Sequence, residues 1–316
     1  MRGTVLKCVY DEAKRDPRVV FIGSDLGAGT MKEFRRDMPD RFFMEGVSEA
    51  HIIGMAAGMA MEGMVPYVNT IATFITRRCF EQNVLDLGLY NLKVRLLGNG
   101  GGVVYAPLGP THEAIDDVAI MRTIPNMAVV AVCDAEEMKR LVPQTVDWPG
   151  PMYIRLAKGG DPVVSSPARP FEVGRAIVMR EGGDATVVST GVTTQLALEA
   201  ATTLSARGIE ASVLHFHTLK PFDSDALLRY ARQTQAVLTV EEHTVIGGLG
   251  SAAAEVIAEG NLAGQVKFRR IGIPDLFPSG YGTQATLMAK YGITSAAVAS
   301  AVESLTSSRR RLAVTT

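Results

Sequence analysis

The stretch Phe43-Met-Glu-Gly-Val-Ser-Glu-Ala-His-Ile-Ile-Gly-Met-Ala-Ala57 is the most informative part of this chain. An apolar start runs into a Gly-Val-Ser turn, and the carboxylate of Glu49 then falls where a helix begins. The residues that follow are small and apolar, with Ala50, Gly54 and Gly58 at helical spacing, so this helix can pack closely against a neighbour. A carboxylate in the first turn of a helix is also favoured by the helix dipole alone, without any catalytic role.

Short β-branched runs alternate with helix-length amphipathic segments on both sides of this stretch. Strands are predicted at residues 18–22, 94–97 and 127–132, each followed by a polar or glycine-rich turn, and a helix is predicted at 135–142. This alternation predicts an α/β fold with a mostly parallel sheet flanked by helices. In such folds ligands bind beyond the carboxyl ends of the strands, where the unusual residues of this chain lie.

A segment rich in Gly, Ser and Pro near residue 160 divides the chain, and a second α/β unit follows it. We predict a first domain at residues 1–160, a linker at 161–172 and a second domain at 173–316. The final residues, 307–316, are expected to form a frayed polar tail. The elements predicted in the second domain are strands at 186–190, 210–216 and 236–240 and helices at 194–207 and 224–232.

Length and composition limit the possible functions. The 316 residues fit two domains of ordinary size, and a formal net charge of -1 indicates no basic surface for nucleic acid or an anionic membrane. Apolar stretches are interrupted by glycine and too short to span a bilayer. Cys8, Cys79 and Cys133 form neither a metal-binding motif nor a disulfide framework, and the first residues do not resemble a signal peptide. We expect a cytoplasmic protein with no metal ligands of its own.

Two further segments carry unusual residues. In the first, Gly109-Pro110 makes a turn, and Thr111-His112 stands just before a predicted helix that ends ahead of Pro125. The second, at residues 70–84, contains Phe74, Arg77 and Phe80. A lone histidine at a helix start is commonly a helix cap, and aromatic residues commonly lie in the core. Neither segment alone therefore indicates a functional site; they do so only in combination with the Glu49 stretch.

Taken together, the three segments resemble the thiamine diphosphate enzymes of the transketolase family, which include the deoxyxylulose-phosphate synthases. The resemblance covers residues 4–304 and is more specific in the first domain than in the second. It implies that Glu49 is catalytic and hydrogen-bonds the aminopyrimidine ring of thiamine diphosphate, so that the cofactor becomes reactive. It also implies that His112 lines the substrate channel and takes part in catalysis.

The same resemblance places three side chains of the 70–84 segment at the cofactor. Phe74 matches the aromatic residue beside the aminopyrimidine, and Phe80 matches a second aromatic position. Arg77 matches an arginine of the deoxyxylulose-phosphate synthase branch. Aromatic stacking contributes about 0.5–1.5 kcal/mol beyond burial, which suits a planar ring. An ordinary core position is the alternative for both phenylalanines, and for Phe80 it is nearly as well supported.

The substrate side departs from the family. Leu108 stands where the family has an aspartate that contacts substrate hydroxyls, and Gly100-Gly-Gly102 replaces a polar position. Tyr105 is the polar side chain of the intervening loop and is expected to bind substrate. A phosphate-binding arginine of the family falls on Lys158, with Arg155 close by, and lysine lacks the bidentate fork of arginine. Lys158 could equally be a solvated linker residue.

A second phosphate-binding arginine of the family has no match in residues 25–33, where Lys32 is the nearest cation. In the second domain, residues 241–251 and 271–277 resemble the family's C-terminal domain. The glycine cluster at 247–250 is expected to be a structural turn between a strand and a helix, because a loose glycine cluster is weak evidence for a phosphate loop. His243 is expected to be structural or interfacial.

Family members normally carry a further domain, ahead of these two, in which Gly-Asp-Gly and a downstream Asn hold Mg²⁺ and the diphosphate. Here Gly183-Asp184 is followed by alanine and does not qualify. We therefore expect the C-terminal subunit of a split transketolase-like enzyme. A separate N-terminal subunit would carry the Gly-Asp-Gly…Asn motif and bind most of the Mg²⁺, with two copies of each chain (α2β2).

The expected reaction transfers a two-carbon ketol unit between a ketose and an aldose, with sugar phosphates as the expected substrates. Two alternatives remain open. One is a decarboxylating acyloin synthase that uses an α-keto acid. Arg77 and the missing aspartate slightly favour this alternative. The other is a non-catalytic partner subunit, against which the combination of Glu49, His112 and Phe74 argues.

Overall fold

A computed structural model describes residues 1–24 and 31–313, with side chains described as far as residue 307. The turn predicted after the first strand and most of the 25–33 segment lie outside these residues. Lys32, which follows them, is exposed at the start of a short helix. No helix in the described part of the chain is long and apolar enough to cross a membrane.

The first domain is built on a mostly parallel sheet that helices cover on both faces. Between its third and fourth strands the chain forms two π-helical segments, Phe74–Arg78 and Asn83–Leu89, with a short helix at Phe80–Gln82. The strands are β1 (Val19–Gly23), β2 (Phe42–Met44), β3 (Val65–Ile71), β4 (Arg95–Asn99), β5 (Ala128–Val130) and β6 (Met152–Leu156). The main helices are α1 (Arg2–Arg15), α2 (Lys32–Asp37), α3 (Glu49–Met61), α4 (Phe80–Gln82), α5 (Asp117–Arg122) and α6 (Ala135–Thr145).

The second domain repeats the α/β alternation around a smaller sheet. Among the described residues its strands are β7 (Ile177–Arg180), β8 (Ala185–Ser189), β9 (Ala211–His215), β10 (Thr218–Lys220), β11 (Ala236–Thr244) and β12 (Lys267–Ile273). Its helices are α7 (Thr193–Ser205), α8 (Ser224–Thr234), α9 (Leu249–Glu259), α10 (Gln284–Lys290) and α11 (Ser295–Ala313).

The sheet orders show how the two domains are joined. In the described residues the larger sheet runs β10-β5-β6-β4-β3-β1-β2 and the smaller one β12-β11-β8-β9-β7. All pairs are parallel except β10 with β5 and β7 with β9. Because β10 follows β9 in the chain but pairs with β5, the second domain contributes an edge strand to the sheet of the first.

The α/β prediction is confirmed, and the predicted strands lie within a few residues of the observed ones. The frayed tail is wrong over residues 307–313, since α11 extends to Ala313. Its Arg, Leu and Ala residues are strong helix formers, and no Gly or Pro interrupts them.

The segment predicted as a linker is packed against the first domain. Asp134 caps α6 by accepting a hydrogen bond from the Glu137 N–H (2.9 Å). Its carboxylate also accepts from the N–H groups of Val164 (2.8 Å) and Ser165 (2.7 Å). Arg140 donates to the Ser166 carbonyl at 2.9 Å. These bonds to charged groups hold the connection in place, unlike a solvated Gly/Ser linker.

A buried polar chain joins α6 to the second domain. The Glu137 carboxylate accepts from the Cys133 N–H (2.7 Å) and lies 2.8 Å from His215 Nε2, while His215 Nδ1 lies 2.8 Å from the Thr194 hydroxyl. Burial opposes ionisation of Glu137, but the charge and hydrogen bond of His215 lower its pKa to about 2. Cys133, Glu137 and His215 could in principle hold a metal ion, since their ligand atoms lie within 4.8 Å of one another. Their mutual hydrogen bonds already explain the cluster as domain packing.

Candidate active site

Glu49 lies at the first position of α3, beyond the carboxyl end of β2. The apolar side of α3, with Ile52 and Ile53, packs into the core and fixes the helix start against the sheet. The Glu49 side chain is only 3% exposed, and its Oε2 accepts a hydrogen bond from Arg78 Nη1 at 2.8 Å. A buried carboxylate is costly unless it is paired, so the position needs a cationic or N–H-bearing partner.

Phe74 and His112 lie in the same cluster as Glu49. The Arg78 guanidinium, which pairs with Glu49, also lies over the Phe74 ring, 4.3 Å from its centroid. The His112 ring meets Phe74 edge-on, with centroids 5.2 Å apart. The Thr73 hydroxyl donates to the His112 carbonyl at 3.0 Å and ties the two segments together. The structure thus brings together three residues that the sequence placed in one site.

Arg78 is a member of this cluster that the sequence analysis missed. Arg77 was expected at the cofactor, but its Nε donates to both carboxylate oxygens of Asp116, at 2.8 and 2.9 Å. Both arginines lie in the π-helical segment Phe74–Arg78. Asp116 binds the guanidinium of Arg77, whereas that of Arg78, four positions after Phe74, lies over the Phe74 ring. The repeated arginine at 77–78 was the available signal.

Phe80 has a different environment. Its side chain is 37% exposed, so the alternative of an ordinary core position is wrong. It belongs to an exposed apolar surface, which we call the α3 surface, formed by α3 with its flanking residues and by the segment 80–90 that packs on α3. The large apolar side chains of the α3 surface are Val47, Met61, Met64, Phe80, Leu85, Leu89 and Tyr90.

Glu113, next to His112, is a second residue that sequence reasoning missed. It is buried, and neither carboxylate oxygen has a hydrogen-bond partner among the described residues. Burial raises the pKa of this carboxyl group, opposed by the charge of Arg77. Arg77 Nη2 donates to the backbone carbonyl of Glu113 at 3.1 Å, and this bond holds the loop that carries His112.

Of the three predicted substrate contacts apart from His112, Arg155 is the one that the structure places inside the protein. Its side chain is 8% exposed, and its Nε donates to Asp117 Oδ2 at 2.9 Å. Its Nη2 donates to the carbonyls of Ala114 (3.0 Å) and Glu242 (2.8 Å). The guanidinium thus holds α5 and the second domain in place, and the prediction that it serves as a reserve phosphate ligand is corrected to a structural role.

Lys158 and Tyr105 are more accessible than Arg155. Lys158 is exposed just after β6, at the carboxyl edge of the sheet. Tyr105 is half-buried, and its ring lies directly against Gly100. Burial raises the pKa of the Tyr105 hydroxyl, so it stays protonated and can donate a hydrogen bond. Leu108 is exposed.

The glycine triplet at 100–102 has a steric explanation. A Cβ at Gly100 would overlap Tyr105, one at Gly101 would overlap Arg155, and one at Gly102 would overlap Glu242. Three neighbours therefore fill the space where the family carries a polar side chain.

Glu242 and His243 lie where the domains meet. Glu242 Oε1 accepts from the Val103 N–H (2.8 Å) and Oε2 from Gln284 Nε2 (2.9 Å). Burial raises the pKa of Glu242 to about 7, partly offset by the charge of Arg155. His243 Nε2 accepts from the Ala119 N–H at 3.3 Å, which agrees with the structural or interfacial role expected for it.

The first two N–H groups of α9 are bound within this chain. The Glu241 carboxylate accepts from the N–H groups of Leu249 (2.7 Å) and Gly250 (2.8 Å). An internal carboxylate thus occupies the position that a phosphate would take, as expected for a structural turn.

Comparison with known proteins agrees with this architecture. Residues 1–160 match the family described as "Transketolase, pyrimidine binding domain", and residues 174–298 match "Transketolase, C-terminal domain". The chain is 38% identical to a 6-deoxy-6-sulfo-D-fructose transketolase subunit from Clostridium sp. (strain MSTE9), over 97% of this chain and 94% of that protein. It is 35% identical to an apulose-4-phosphate transketolase subunit from Phocaeicola vulgatus, over 89% of each chain.

A solved structure extends the comparison to three dimensions. A split-gene transketolase, described as an inactive beta4 tetramer, superposes with a TM-score of 0.89 at 38% identity, over 97% of this chain and 98% of that one. Fold and site together define a subunit of a thiamine diphosphate-dependent transferase. The chain belongs to the transketolase family, with the pyrimidine-binding domain followed by the C-terminal domain.

Proposed function

We propose that this chain is the pyrimidine-binding subunit of a split transketolase that transfers a two-carbon ketol unit between a ketose and an aldose. The observation that carries the proposal is the buried Glu49 carboxylate beside the face of Phe74. In this structure the carboxylate accepts a hydrogen bond from a flat, N–H-bearing cation that also stacks on the ring. The aminopyrimidine ring of thiamine diphosphate needs the same two contacts, so the residues present fit the cofactor.

Each residue of the cluster then has a chemical task. When bound, thiamine diphosphate supplies a nucleophilic carbon for breaking and making carbon–carbon bonds. Glu49 holds or gives up a proton at the ring, and its burial keeps competing water away. Phe74 supports the ring face. The His112 ring packs against Phe74 with centroids 5.2 Å apart, and its imidazole can exchange a proton with a substrate hydroxyl.

We assign the diphosphate and Mg²⁺ to a separate N-terminal subunit that carries the Gly-Asp-Gly…Asn motif. The α3 surface fits such a partner, because the small residues Ala50, Gly54 and Gly58 are exposed between its large apolar side chains. A Cβ placed at Gly58 would meet nothing within 4 Å, so packing within this chain does not require that glycine. Two copies of each subunit, related by twofold symmetry, are the simplest assembly. Three free cysteines are consistent with the cytoplasm.

The substrate is proposed to be an anionic sugar. Two relatives are named for a sulfo-sugar and a sugar phosphate. Exposed Lys158 is the proposed anion contact, with Tyr105 as a hydrogen-bond donor. The decarboxylating alternative rested partly on Arg77, which pairs with Asp116 instead. The non-catalytic alternative is less favoured because the Glu49, Phe74 and His112 cluster is intact.

The proposal is tested with the chain co-purified with its diphosphate-binding partner. Ketose phosphates, sulfo-ketoses, free ketoses and pyruvate are offered with an aldose acceptor, and wild type is compared with Glu49→Gln. We expect ketol transfer from an anionic ketose and a loss of about 10²–10⁴-fold in kcat for the variant, because the amide cannot exchange the proton. Light scattering should show the same mass for both complexes. A variant that retains more than about a tenth of the activity would assign Glu49 to helix capping alone.

A further inference from the structure

We propose that, in the isolated subunit, the Arg78 side chain occupies the binding site of the cofactor's aminopyrimidine ring, and that the ring must displace it in order to bind. This inference rests on the proposed function and extends it to the regulation of the same site. Arg78 would then act as a placeholder that keeps the site closed until cofactor and partner arrive.

The geometry of Arg78 supports this assignment. Its Nη1 lies 2.8 Å from Glu49 Oε2, and its Cζ lies 4.3 Å from the centre of the Phe74 ring. A guanidinium is planar, delocalised and weakly hydrated, so it can stack on an aromatic face and donate in its own plane at once. A flat heterocycle held by Glu49 and Phe74 would use the same acceptor and the same ring face. Both cannot be there together.

The exposures of the two partners indicate which of them moves. The Glu49 side chain is 3% exposed, whereas that of Arg78 is 49% exposed. Glu49 is fixed by the start of α3 and needs a partner in place, because an unpaired buried carboxylate is strongly destabilising. Arg78 can rotate into solvent without breaking any other hydrogen bond described for its side chain. The neighbouring Arg77 lacks this freedom, since Asp116 and the Glu113 carbonyl bind its guanidinium.

The expected effect follows from the two contacts that must be broken. An accessible ion pair and a cation–π contact are each modest, so together they should lower the apparent affinity for the ring about 10-fold. Removing Arg78 should therefore strengthen binding of the ring. A residue that contacts the bound cofactor would have the opposite effect.

The first test uses the purified chain alone and the isolated methylated aminopyrimidine ring of thiamine, titrated into the millimolar range by ligand-observed NMR. Arg78→Ala should bind the ring about 10-fold more tightly than wild type. Arg78→Lys should fall between them, because it retains the charge but not the flat face, and it serves as the second variant if Arg78→Ala does not fold. Arg77→Ala is the charge-matched neighbour and should not give the increase.

The outcomes separate the inference from the function on which it rests. Weaker or unchanged binding by Arg78→Ala overturns the inference, as does an equal gain in Arg77→Ala, which would mean that any nearby charge matters. A calorimetric titration of thiamine diphosphate and Mg²⁺ into the co-purified complex is the second measurement. If wild type binds the cofactor there but Arg78→Ala binds it no better, only the placeholder role fails. If neither binds, the proposed function fails with it.

Discussion

Replacing Arg155 by methionine tests whether this residue supports the structure or binds the substrate. The change keeps most of the side-chain volume and removes the guanidinium. It leaves the fully buried Asp117 with the Tyr153 hydroxyl at 2.6 Å as its remaining side-chain partner. It also removes the Arg155 hydrogen bonds to the carbonyls of Glu242 and Ala114, of which the Ala114 carbonyl keeps the Gly102 N–H as a donor. Removing one partner of a buried ion pair typically costs about 3–5 kcal/mol.

Because Tyr153 still donates to Asp117, we expect Arg155→Met to lose about 3 kcal/mol of unfolding free energy, the lower end of that range. At ~2.1 cal/mol/K per residue, a chain of this length that unfolds as one unit would show a Tm lower by roughly 5 °C. Urea unfolding is followed at fixed protein concentration by far-UV circular dichroism and by the fluorescence of Trp148, the single tryptophan, which lies in the first domain. Lys158→Ala, a nearby exposed cation, should change the unfolding free energy by less than about 0.5 kcal/mol.

A double variant sharpens this test. Combining Arg155→Met with Asp117→Asn should cost less than the sum of the two single changes, because the buried negative charge is then gone. A loss below about 1 kcal/mol for Arg155→Met, together with a raised KM, would show that the residue serves the substrate and that this reasoning is wrong.

Three further predictions concern the cofactor, the substrate and pH. The purified chain should bind thiamine diphosphate and Mg²⁺ weakly without its partner, so micromolar affinity by calorimetry would contradict a diphosphate site on another subunit. Lys158→Ala should raise KM for a phosphorylated or sulfonated ketose while kcat changes little, and the defect should shrink for an uncharged ketose; identical kinetics for both proteins would exclude the anion contact. The pKa of Glu242 is raised to about 7 from an ordinary value near 4.5, so the folded protein binds the extra proton and stability falls as pH rises from about 4.5 through 7. Glu242→Gln should flatten that part of the stability profile in urea titrations at pH 5 and pH 8, and a profile as steep as wild type would assign the slope to other groups.

The sequence predicted the fold well because the signals involved are local. The β-branched runs and the turns after them located strands such as β8 and β9 to within a residue or two. The family resemblance predicted that Glu49, Phe74 and His112 share one site, and each motif that carries this resemblance lies in one short segment. These features depend little on contacts between distant parts of the chain.

The missed features depend on contacts across the chain. Arg78 rather than Arg77 lies over Phe74, and Arg77 is bound by Asp116, 39 positions away. Arg155 looked like a free cation because its carboxylate partner, Asp117, lies 38 positions away. The buried Glu113 differs from an ordinary acidic helix-start residue only through its surroundings. Apart from the repeated arginine at 77–78, no local pattern in the sequence indicates these contacts.

The pairing of β10 with β5 has a consequence for how the chain is made. Until Lys220 has left the ribosome, β5 is the open edge of the larger sheet, and an open edge is a template for pairing with other chains. The 64 residues from Leu156, the end of β6, to Lys220 take roughly 3–13 s to synthesise at ~5–20 residues per second. A nascent first domain therefore spends that interval vulnerable to aggregation, and a fragment that ends after residue 160 would retain the vulnerability permanently.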